Sequence, residues 1–570
     1  MLRNFTKGYK TLSTILRPRV ASGLYQSKTK NIWLRQSSSY ITDDYIIKNP
    51  KEIHFPEENF FNFIEKEIAA YGDRLAMVDA ISGSQMTYTE LLMKSRQLSY
   101  FYKNNGYKQG DCVAIHVPNC IEYPVTALGT VAKGITLTTA NPTYTAEELS
   151  NQLRNSNARI LYTKSTLLDT ARRAAENTNT DKLICIDETN CSDSGVLQFK
   201  DILKEGCVDE PVYVNAKDDV AYMMYSSGTT GLPKGVMMTH HNMICNTLQL
   251  ADGVTPHKLT KALCVLPMFH IYGLVYIMFV HLVRGFTLYT LPSFDPETFL
   301  SALQNHKIEK VSTVPPIMLF LLNHPMVSKY DVSHLRNITV GAAPVDENVL
   351  NGFHKKFPNI HILQGYGMTE SMVTHMQDEN AQTTHKHGSA GTVVSGVEWK
   401  VQCLETGKAL PAYEKGEVCT RGPQVMKGYH NNEEETKKCL SEDGWMRSGD
   451  LGYYDEDFHI FVVDRLKELI KCKGFQVAPA ELEDLLHGHE DITDSCVIGV
   501  PDEKYGEVPR AFVVKKNESG LTEEDVYKFV NQNVSDHKQL RGGVKFVDAL
   551  PRSPAGKLLR RVLKEEHASK

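Results

Sequence analysis

Between Asp218 and Val236 an apolar run, Val220-Ala-Tyr-Met-Met-Tyr225, passes directly into a loop of hydroxyls, glycines and one lysine. That composition suits a polyphosphate. Gly228, Gly231 and Gly235 let the backbone turn its N–H groups toward anionic oxygens, Ser226, Ser227, Thr229 and Thr230 add hydroxyl donors, and Lys234 adds a charge on a flexible stem. The loop is not a Walker A loop, because Gly235 and not a hydroxyl residue follows Lys234. A plain flexible connection has the same composition, so this segment alone does not decide.

Other side chains with chemistry in them stand singly. His270 opens an apolar stretch; Thr369 and Glu370 follow Gln364-Gly-Tyr-Gly-Met368; Asp450 closes the turn Ser448-Gly449-Asp450; and Lys557 follows Gly556 in a loop rich in proline and serine. Arg465, Lys467, Lys471, Lys473, Gly474 and Gln476 crowd one short segment. Each has an ordinary reading: a core histidine, a helix cap, a turn aspartate, a solvated lysine. Tyr366 offers a flat face to a ring, and flanking Gly365 and Gly367 would leave a structural tyrosine poorly packed while letting a nucleotide reach the backbone. The Asp450 carboxylate suits the two hydroxyls of a ribose.

These residues need elements to hold them. From about Phe55 to Phe461 short β-rich runs alternate with helical patterns, predicting strands over Ala262–Leu266, Phe286–Leu291, Lys310–Val314, Ile338–Gly341 and Ile360–Gln364. Each ends near one of the motifs, the arrangement in which α/β proteins collect ligands at the carboxyl ends of strands. Gly396 to Gly422 reads as a small β-rich unit closing the large domain. The apolar stretch Ile271 to Val283, about 13 residues with His281 inside it, is too short to span a bilayer and predicts a core helix. After Asp464-Arg-Leu-Lys467 the chain begins again, with a helix over Ala480–His487 and strands over Ser495–Val500 and Arg510–Lys515.

The loop Ser226 to Lys234, Leu266-Pro-Met-Phe-His-Ile-Tyr-Gly273, Gly341-Ala-Ala-Pro344, Gln364 to Glu370, Ser448-Gly-Asp450, Val463 to Glu481 and Pro551-Arg-Ser-Pro-Ala-Gly-Lys557 together resemble the adenylate-forming superfamily of acyl-CoA synthetases, 4-coumarate:CoA ligases and beetle luciferases. The wording is most similar to the 4-coumarate:CoA ligase-like branch. The resemblance runs from about Ile53 to Leu563. It implies an α/β fold class, with a large multi-subdomain N-terminal domain containing the β-rich unit and a small mobile α+β C-terminal domain. It implies ATP, Mg²⁺ and coenzyme A as ligands. Thr369 meets the α-phosphate, Glu370 holds Mg²⁺, and Lys557 swings in to bridge carboxylate and α-phosphate, supplying charge where the transition state develops it. Arg465 contacts AMP, and Lys467 is the hinge about which the small domain turns, so that Lys471, Lys473, Gly474 and Gln476 replace Lys557 along the pantetheine path. His270 orients the acyl carboxylate, with Tyr272 and Tyr276 on one helix face lining the acyl pocket opposite Ala342 and Met376.

A net charge of −5 over 570 residues gives no basic face for nucleic acid, and 41% hydrophobic with 23% charged residues is ordinary for a globular enzyme. The 12 cysteines form no C-x-x-C pair and no cluster at zinc spacing. The first 42 residues stand apart: eight Lys or Arg, six Ser, and no acid before Asp43. Leu2, Phe5, Tyr9, Leu12, Ile15 and Leu16 can share a helix face bordered by Arg3, Lys7, Lys10 and Arg17, the pattern of a mitochondrial transit peptide cut near Arg35 to Ser39. The ending His567-Ala-Ser-Lys570 is not the Ser-Lys-Leu peroxisomal address. The expected division is thus 1–42 transit peptide, 43–466 adenylation domain and 467–570 mobile domain.

The expectation is an ATP-dependent acyl-CoA synthetase in the mitochondrial matrix, with a small-molecule carboxylic acid, ATP and CoA as partners, no nucleic acid, no transmembrane segment, and the oligomeric state open. Ligases for hydroxycinnamates commonly carry a smaller residue where this chain has Tyr276, which directs the expectation to a medium- or long-chain fatty acid, with a 4-coumarate-type acid as the alternative. Glu370 is followed by Ser-Met-Val-Thr, and Ser293 stands where plant ligases have a lysine; both differences touch specificity and not adenylation. A luciferase-type monooxygenase is a further alternative, but such proteins usually carry His-His-Gly-Phe where Phe269-His-Ile-Tyr272 stands here.

Overall fold

A computed structural model describes residues 41–570, apart from 188–194, 205, 207–211, 227–232, 255–259, 344, 346, 379–385, 387, 474, 503, 517–518, 554–555 and 568–570. Ser227, Gly228, Thr229, Thr230, Gly231 and Gly474 therefore lie outside the described residues, as does the basic segment 1–40.

Two large sheets form the body. The first orders its eight strands as Gly428–Tyr429, Lys234–Thr239, Val220–Ser226, Thr136–Thr139, Cys112–Ile115, Ala158–Thr163, Lys182–Cys185 and Val196–Gln198, parallel from Val220–Ser226 onward and antiparallel at the Lys234 edge. The second has nine: Thr392–Val393, Met372–Met376, His361–Met368, Asn337–Val340, Lys310–Thr313, Lys261–Cys264, Thr287–Thr290, Leu75–Asp79 and Gln85–Thr87. Its central strands are parallel and buried on both faces, which is why they read as continuous Val/Ile/Leu runs. His361–Met368 pairs parallel with Asn337–Val340 through Gln364, then antiparallel with Met372–Met376 from Gly365 on.

Helices fill the space around these sheets. Tyr123–Ala132 is buried at every residue, and Phe60 makes edge contacts with Tyr222 of the first sheet and with Phe279, at ring separations of 6.0 and 4.9 Å. Phe279 belongs to Tyr272–Val280, where the expected core helix is wound as a π-helix before the short turn His281–Val283. Wide turns of this kind recur at functional sites. Gly273 has to be glycine here, because a Cβ on it would lie 1.9 Å from the carbonyl oxygen of Pro267.

The β-rich unit is larger than Gly396 to Gly422. It is a five-stranded antiparallel sheet of Ile47–Lys48, Glu398–Gln402, Gly416–Arg421, Met446–Tyr454 and Ile460–Arg465. The chain then enters a fourth sheet, built from Ile470–Cys472, Phe475–Val477, Ile492–Asp502, Gly506–Lys515 and Val544–Phe546, which has its own apolar core against the helices Pro479–His487 and Glu523–Asn533. The predicted strands lie within four residues of the observed bounds, the larger differences being at the start of Gly506–Lys515 and at the end of His361–Met368, which runs on into a hairpin absent from the apolar pattern. The described cysteines are all free, and no helix among the described residues is long and apolar enough to cross a membrane.

Gly273→Ala should cost about 1–3 kcal/mol, the range for overpacking a filled interior. The measurement is the thermal midpoint of the purified chain, and an unchanged midpoint would show that the π-helix and the Pro267 loop separate freely.

Candidate active site

A cavity of about 1080 Å³ opens where the carboxyl ends of strands in both large sheets meet the third sheet and the C-terminal loop. Ser226, Lys234, His270, Tyr272, Ala342, Gly365, Tyr366, Gly367, Thr369, Glu370, Met376, Arg465, Lys467 and Lys557 all line it. Sequence positions more than 300 apart thus share one chamber.

At its anionic end, Ser226 and Lys234 face each other across an antiparallel pair. The strand Lys234–Thr239 is fixed at its far end by the reciprocal Thr239/Asn242 cap of helix His240–Asp252. Glu370 sits in the turn between His361–Met368 and Met372–Met376, not at a helix start. Its Oε1 accepts hydrogen bonds from Ser226 Oγ and Tyr429 Oη, both 2.9 Å. Oε2 accepts none among the described residues, which suits one divalent cation shared with phosphate oxygens. Lys234 pairs with Glu435 and lies 5.1 Å over the Tyr429 ring. That pair and the neighbouring Lys438 hold the Glu435 carboxyl down to about 2.

At the opposite wall Tyr366 Oη donates to Asp450 Oδ2 at 2.7 Å, and Arg465 Nε lies 3.4 Å from Asp450 Oδ1, the two residues being partners across Met446–Tyr454 and Ile460–Arg465. Asp450 is buried behind Tyr366, and burial raises its pKa against the opposing pull of Arg465. Gly367 lines the cavity and also serves the hairpin, since a Cβ would meet the Met372 carbonyl oxygen at 2.2 Å. One expectation needs correcting here. Gln364 does not face the cavity; it is buried, exchanging backbone and side-chain hydrogen bonds with Gln377 at 3.0 and 2.9 Å.

His270 is held by neighbours that the sequence did not single out. Buried Asn119 bonds Leu266 O, Leu291 O and Met268 N at 3.0, 3.1 and 2.8 Å, and Thr139 Oγ1 bonds Phe269 O at 2.7 Å. His270 Nδ1 accepts from the Tyr272 backbone N–H at 3.3 Å, which puts the ring proton on Nε2. Burial, with the Lys557 charge second, pushes this histidine down to about 4, so it is neutral at pH 7 with a proton on Nε2 to donate. Lys557 reaches the cavity because Gly556, at φ +79°, packs where a Cβ would be 2.7 Å from Val314 Cγ2. Burial brings Lys557 down to about 8, helped by the Arg465 charge and opposed by Glu468 and Asp450.

Lys471, Lys473 and Gln476 are not in the chamber. They lie on the hairpin Ile470–Cys472 and Phe475–Val477, where Lys473 pairs with Asp536 and covers the Tyr505 ring at 4.4 Å. Between the two positions the chain is clamped: Leu466 N donates to Gly449 O at 2.8 Å, Ala480 N to Asp464 Oδ2 at 3.0 Å, and Arg560 pairs with Glu468 at 2.6 Å. Burial pushes the Asp464 carboxyl up to about 6.

The apolar end is formed by Tyr272, Val340, Gly341, Ala342 and Met376, with Ala342 in the left-handed region at φ +69°. Non-glycine residues held there are a mark of functional loops. Tyr276 does not line the cavity as expected; it is fully buried, stacked behind Tyr272 at 5.7 Å, with its Oη 3.2 Å from Thr339 Oγ1. Tyr272 Oη in turn donates to Thr339 O at 3.2 Å. Unforeseen lining residues are Tyr429, Glu435 and Lys438; the run Glu433-Glu-Glu-Thr-Lys-Lys438 carries the signal only of a solvated helix face.

A family model described as AMP-binding enzyme matches residues 64–430, and one described as AMP-binding enzyme C-terminal domain matches residues 481–557. 4-Coumarate–CoA ligase 1 of Petroselinum crispum is 39% identical over 538 residues, covering 93% of this chain and 96% of its own. Among solved structures, ATP-bound MatB from Rhodopseudomonas palustris superposes with a TM-score of 0.82 at 28% identity, over 90% of this chain and 99% of that one. The Mycobacterium tuberculosis fatty acyl CoA synthetase does so with a TM-score of 0.68 at 26% identity, over 90% and 98%.

The state of Lys557 gives a pH test. A lysine at about 8 is charged below that pH and loses its proton above it. The kcat/KM for adenylate formation, read by pyrophosphate exchange, should therefore fall toward about tenfold per unit above pH 8. Lys557→Arg, however reduced in rate, should lack this alkaline limb because guanidinium keeps its proton. The same limb in the arginine variant would assign it to another group.

Proposed function

Since the chain belongs to the AMP-binding enzyme family, in which it is an AMP-forming acid–CoA ligase, we propose that its acid is a compact arylpropenoate of the 4-coumarate type. ATP and coenzyme A are its co-substrates. The observation that carries the substrate reading is the floor of the acyl end. Its walls are apolar, but beneath them Tyr272, Tyr276 and Thr339 form a bonded set of hydroxyls and one carbonyl. A distal hydroxyl can add a hydrogen bond to a remaining lone pair of this set, whereas a methyl terminus gains none. The bulk of Tyr276, which pointed away from hydroxycinnamates, is absorbed by the core and takes no room from the cavity. The 39% identity to a 4-coumarate–CoA ligase supports the same reading.

The second reading is a medium-chain fatty acid. It is favoured by Val340, Ala342 and Met376 along the walls and by the likeness to a fatty acyl CoA synthetase. A long straight chain fits less well, because the Tyr272 ring stands at the apolar end of the chamber.

In the proposed mechanism Lys234 neutralises the phosphates, Glu370 would hold a Mg²⁺ ion whose charge would assist it, Thr369 meets the α-phosphate, and His270 orients the carboxylate. Lys557 bridges carboxylate and α-phosphate, stabilising charge where the in-line attack develops it. Once adenylate has formed, turning at Lys467 exchanges Lys557 for the Lys471 to Gln476 hairpin and admits the thiol.

CoA-dependent AMP release across 4-coumarate, cinnamate, straight-chain acids and luciferin tests the substrate reading. 4-Coumarate should exceed cinnamate in kcat/KM, and Thr339→Val should shrink that preference by about tenfold, the effect of unpairing one buried hydrogen bond. A straight-chain acid turned over best, with Thr339→Val neutral, would replace the arylpropenoate by the fatty acid. Light from luciferin would move the chain to the oxygenase class.

The compartment is a separate proposal, the mitochondrial matrix, supported by eight basic residues with no acid before Asp43. A chain starting at Ser39 should keep its ligase activity and stay in the cytosol on fractionation with protease protection. Mitochondrial protection of the shortened chain, or loss of its activity, would count against an import signal.

A further inference from the structure

We propose that Glu435 is an internal competitor for the phosphate-site cation Lys234, and that its return to Lys234 drives pyrophosphate out of the cavity. The proposal rests on this chamber's being the ATP site of the ligase. It assigns a positioning role to a residue from a helix with no other chemical feature.

Lys234 stands beside the phosphate end, close to the group that holds Glu370, since Tyr429 both underlies its ammonium at 5.1 Å and donates to Glu370 at 2.9 Å. Yet its ammonium is already taken. Glu435 reaches in from the helix Glu433–Cys439, pairs with Lys234, and pairs through its other oxygen with Lys438 at 2.7 Å. All three charged groups line the cavity. An ion pair serving only the fold would not need to sit where the substrate's most charged part must go.

The carboxylate occupies the role of a phosphate oxygen: one anion shared by two lysines. Its backbone is fixed, because Asn432 caps the helix through the Glu435 N–H at 3.1 Å and Thr436 Oγ1 accepts from Tyr429 N at 2.9 Å. Tyr429 lies in the strand Gly428–Tyr429 that pairs with Lys234–Thr239. Only the Glu435 side chain has to rotate for the exchange, so it acts as a tethered ligand whose effective concentration at Lys234 is on the order of millimolar.

Incoming triphosphate must displace this carboxylate. While pyrophosphate is part of ATP, the adenine and ribose contacts hold it against the competition. Once the bond to the α-phosphate breaks, those contacts no longer serve it, and Glu435 competes with a free anion for the same two lysines. Its charge also repels that anion at close range. AMP and the acyl-adenylate lack the β- and γ-phosphates and do not depend on Lys234 in this way.

The test is calorimetric binding of inorganic pyrophosphate and of AMP, separately, to the full chain without acid or CoA. Glu435→Gln keeps the shape and removes the charge; it should bind pyrophosphate about five- to tenfold more tightly, the scale of one lost charge contact near the surface, with AMP within about twofold. Glu435→Ala should follow it, and Lys438→Met should weaken pyrophosphate binding. Pyrophosphate bound no more tightly by either Glu435 variant would overturn the proposal while leaving the ligase reading intact. So would equal tightening of AMP and pyrophosphate, which would mark a general loosening of the site. Failure of the unaltered chain to bind AMP would instead remove the nucleotide site, and this role of Glu435 with it.

Discussion

One oxygen of Glu370 takes hydroxyl hydrogens from Ser226 and Tyr429, and the closing of the two large sheets upon each other at the site depends on that junction. Both donors belong to the first sheet, on strands Val220–Ser226 and Gly428–Tyr429, and the acceptor belongs to a hairpin of the second. A carboxylate removed from water requires such donors, since a buried charge without partners costs several kcal/mol. With Oε1 satisfied this way, the sheets meet through a polar contact that leaves Oε2 turned to chemistry. Asn119 and Thr139 do the same on the acyl side, tying the first-sheet strand ends to the loop that carries His270.

The cations of the chamber are stored in pairs. Lys234 is held by Glu435, Arg465 by Asp450, and Arg447 by Glu417, so in the absence of substrate the site is nearly balanced and can stay folded around mutually repelling groups. Lys557 is different: like Lys467 it carries no ion pair among the described residues, and burial, with the Arg465 charge second, depresses its pKa. An ammonium lacking a partner is the group that gains most when a carboxylate and a phosphate arrive together. The neutral state of His270 follows from the same burial and from Lys557 beside it.

Much of this was legible in the sequence, for physical reasons. Parallel strands buried on both faces announce themselves as apolar runs, and the glycines, hydroxyls and lysines at their ends are spaced as a phosphate site requires. Tyr366 and Glu370 were legible as site residues, but the reason for Gly367 was not, because a close approach to Met372 O is a tertiary fact. Tyr276 was misplaced for a definite reason. Sharing a helix face with Tyr272 did not bring both rings to the cavity: they stack, and Tyr272 hides Tyr276 behind it. Glu435 and Asn119 were invisible, since their meaning comes from partners about 200 and 150 positions away, Lys234 and Met268.

The clamps on either side of Lys467 have a mechanical meaning. Arg465 is locked into the third sheet opposite Asp450, Leu466 is bonded to Gly449, and Glu468 is already tied to Arg560 of the last helix. If the small domain turns as proposed, what lies between would be a swivel one residue long, with two torsions as its degrees of freedom. A joint that short turns a local change in φ and ψ into an arc swept by everything beyond it, much as a wrist turns a whole hand. The turn bonds from Glu468 N and Leu469 N to Arg465 O, at 2.9 and 3.2 Å, would then act as its detent, to be broken before the hand changes grip. Lengthening the joint by even one residue would add slack and uncouple the stroke from the site.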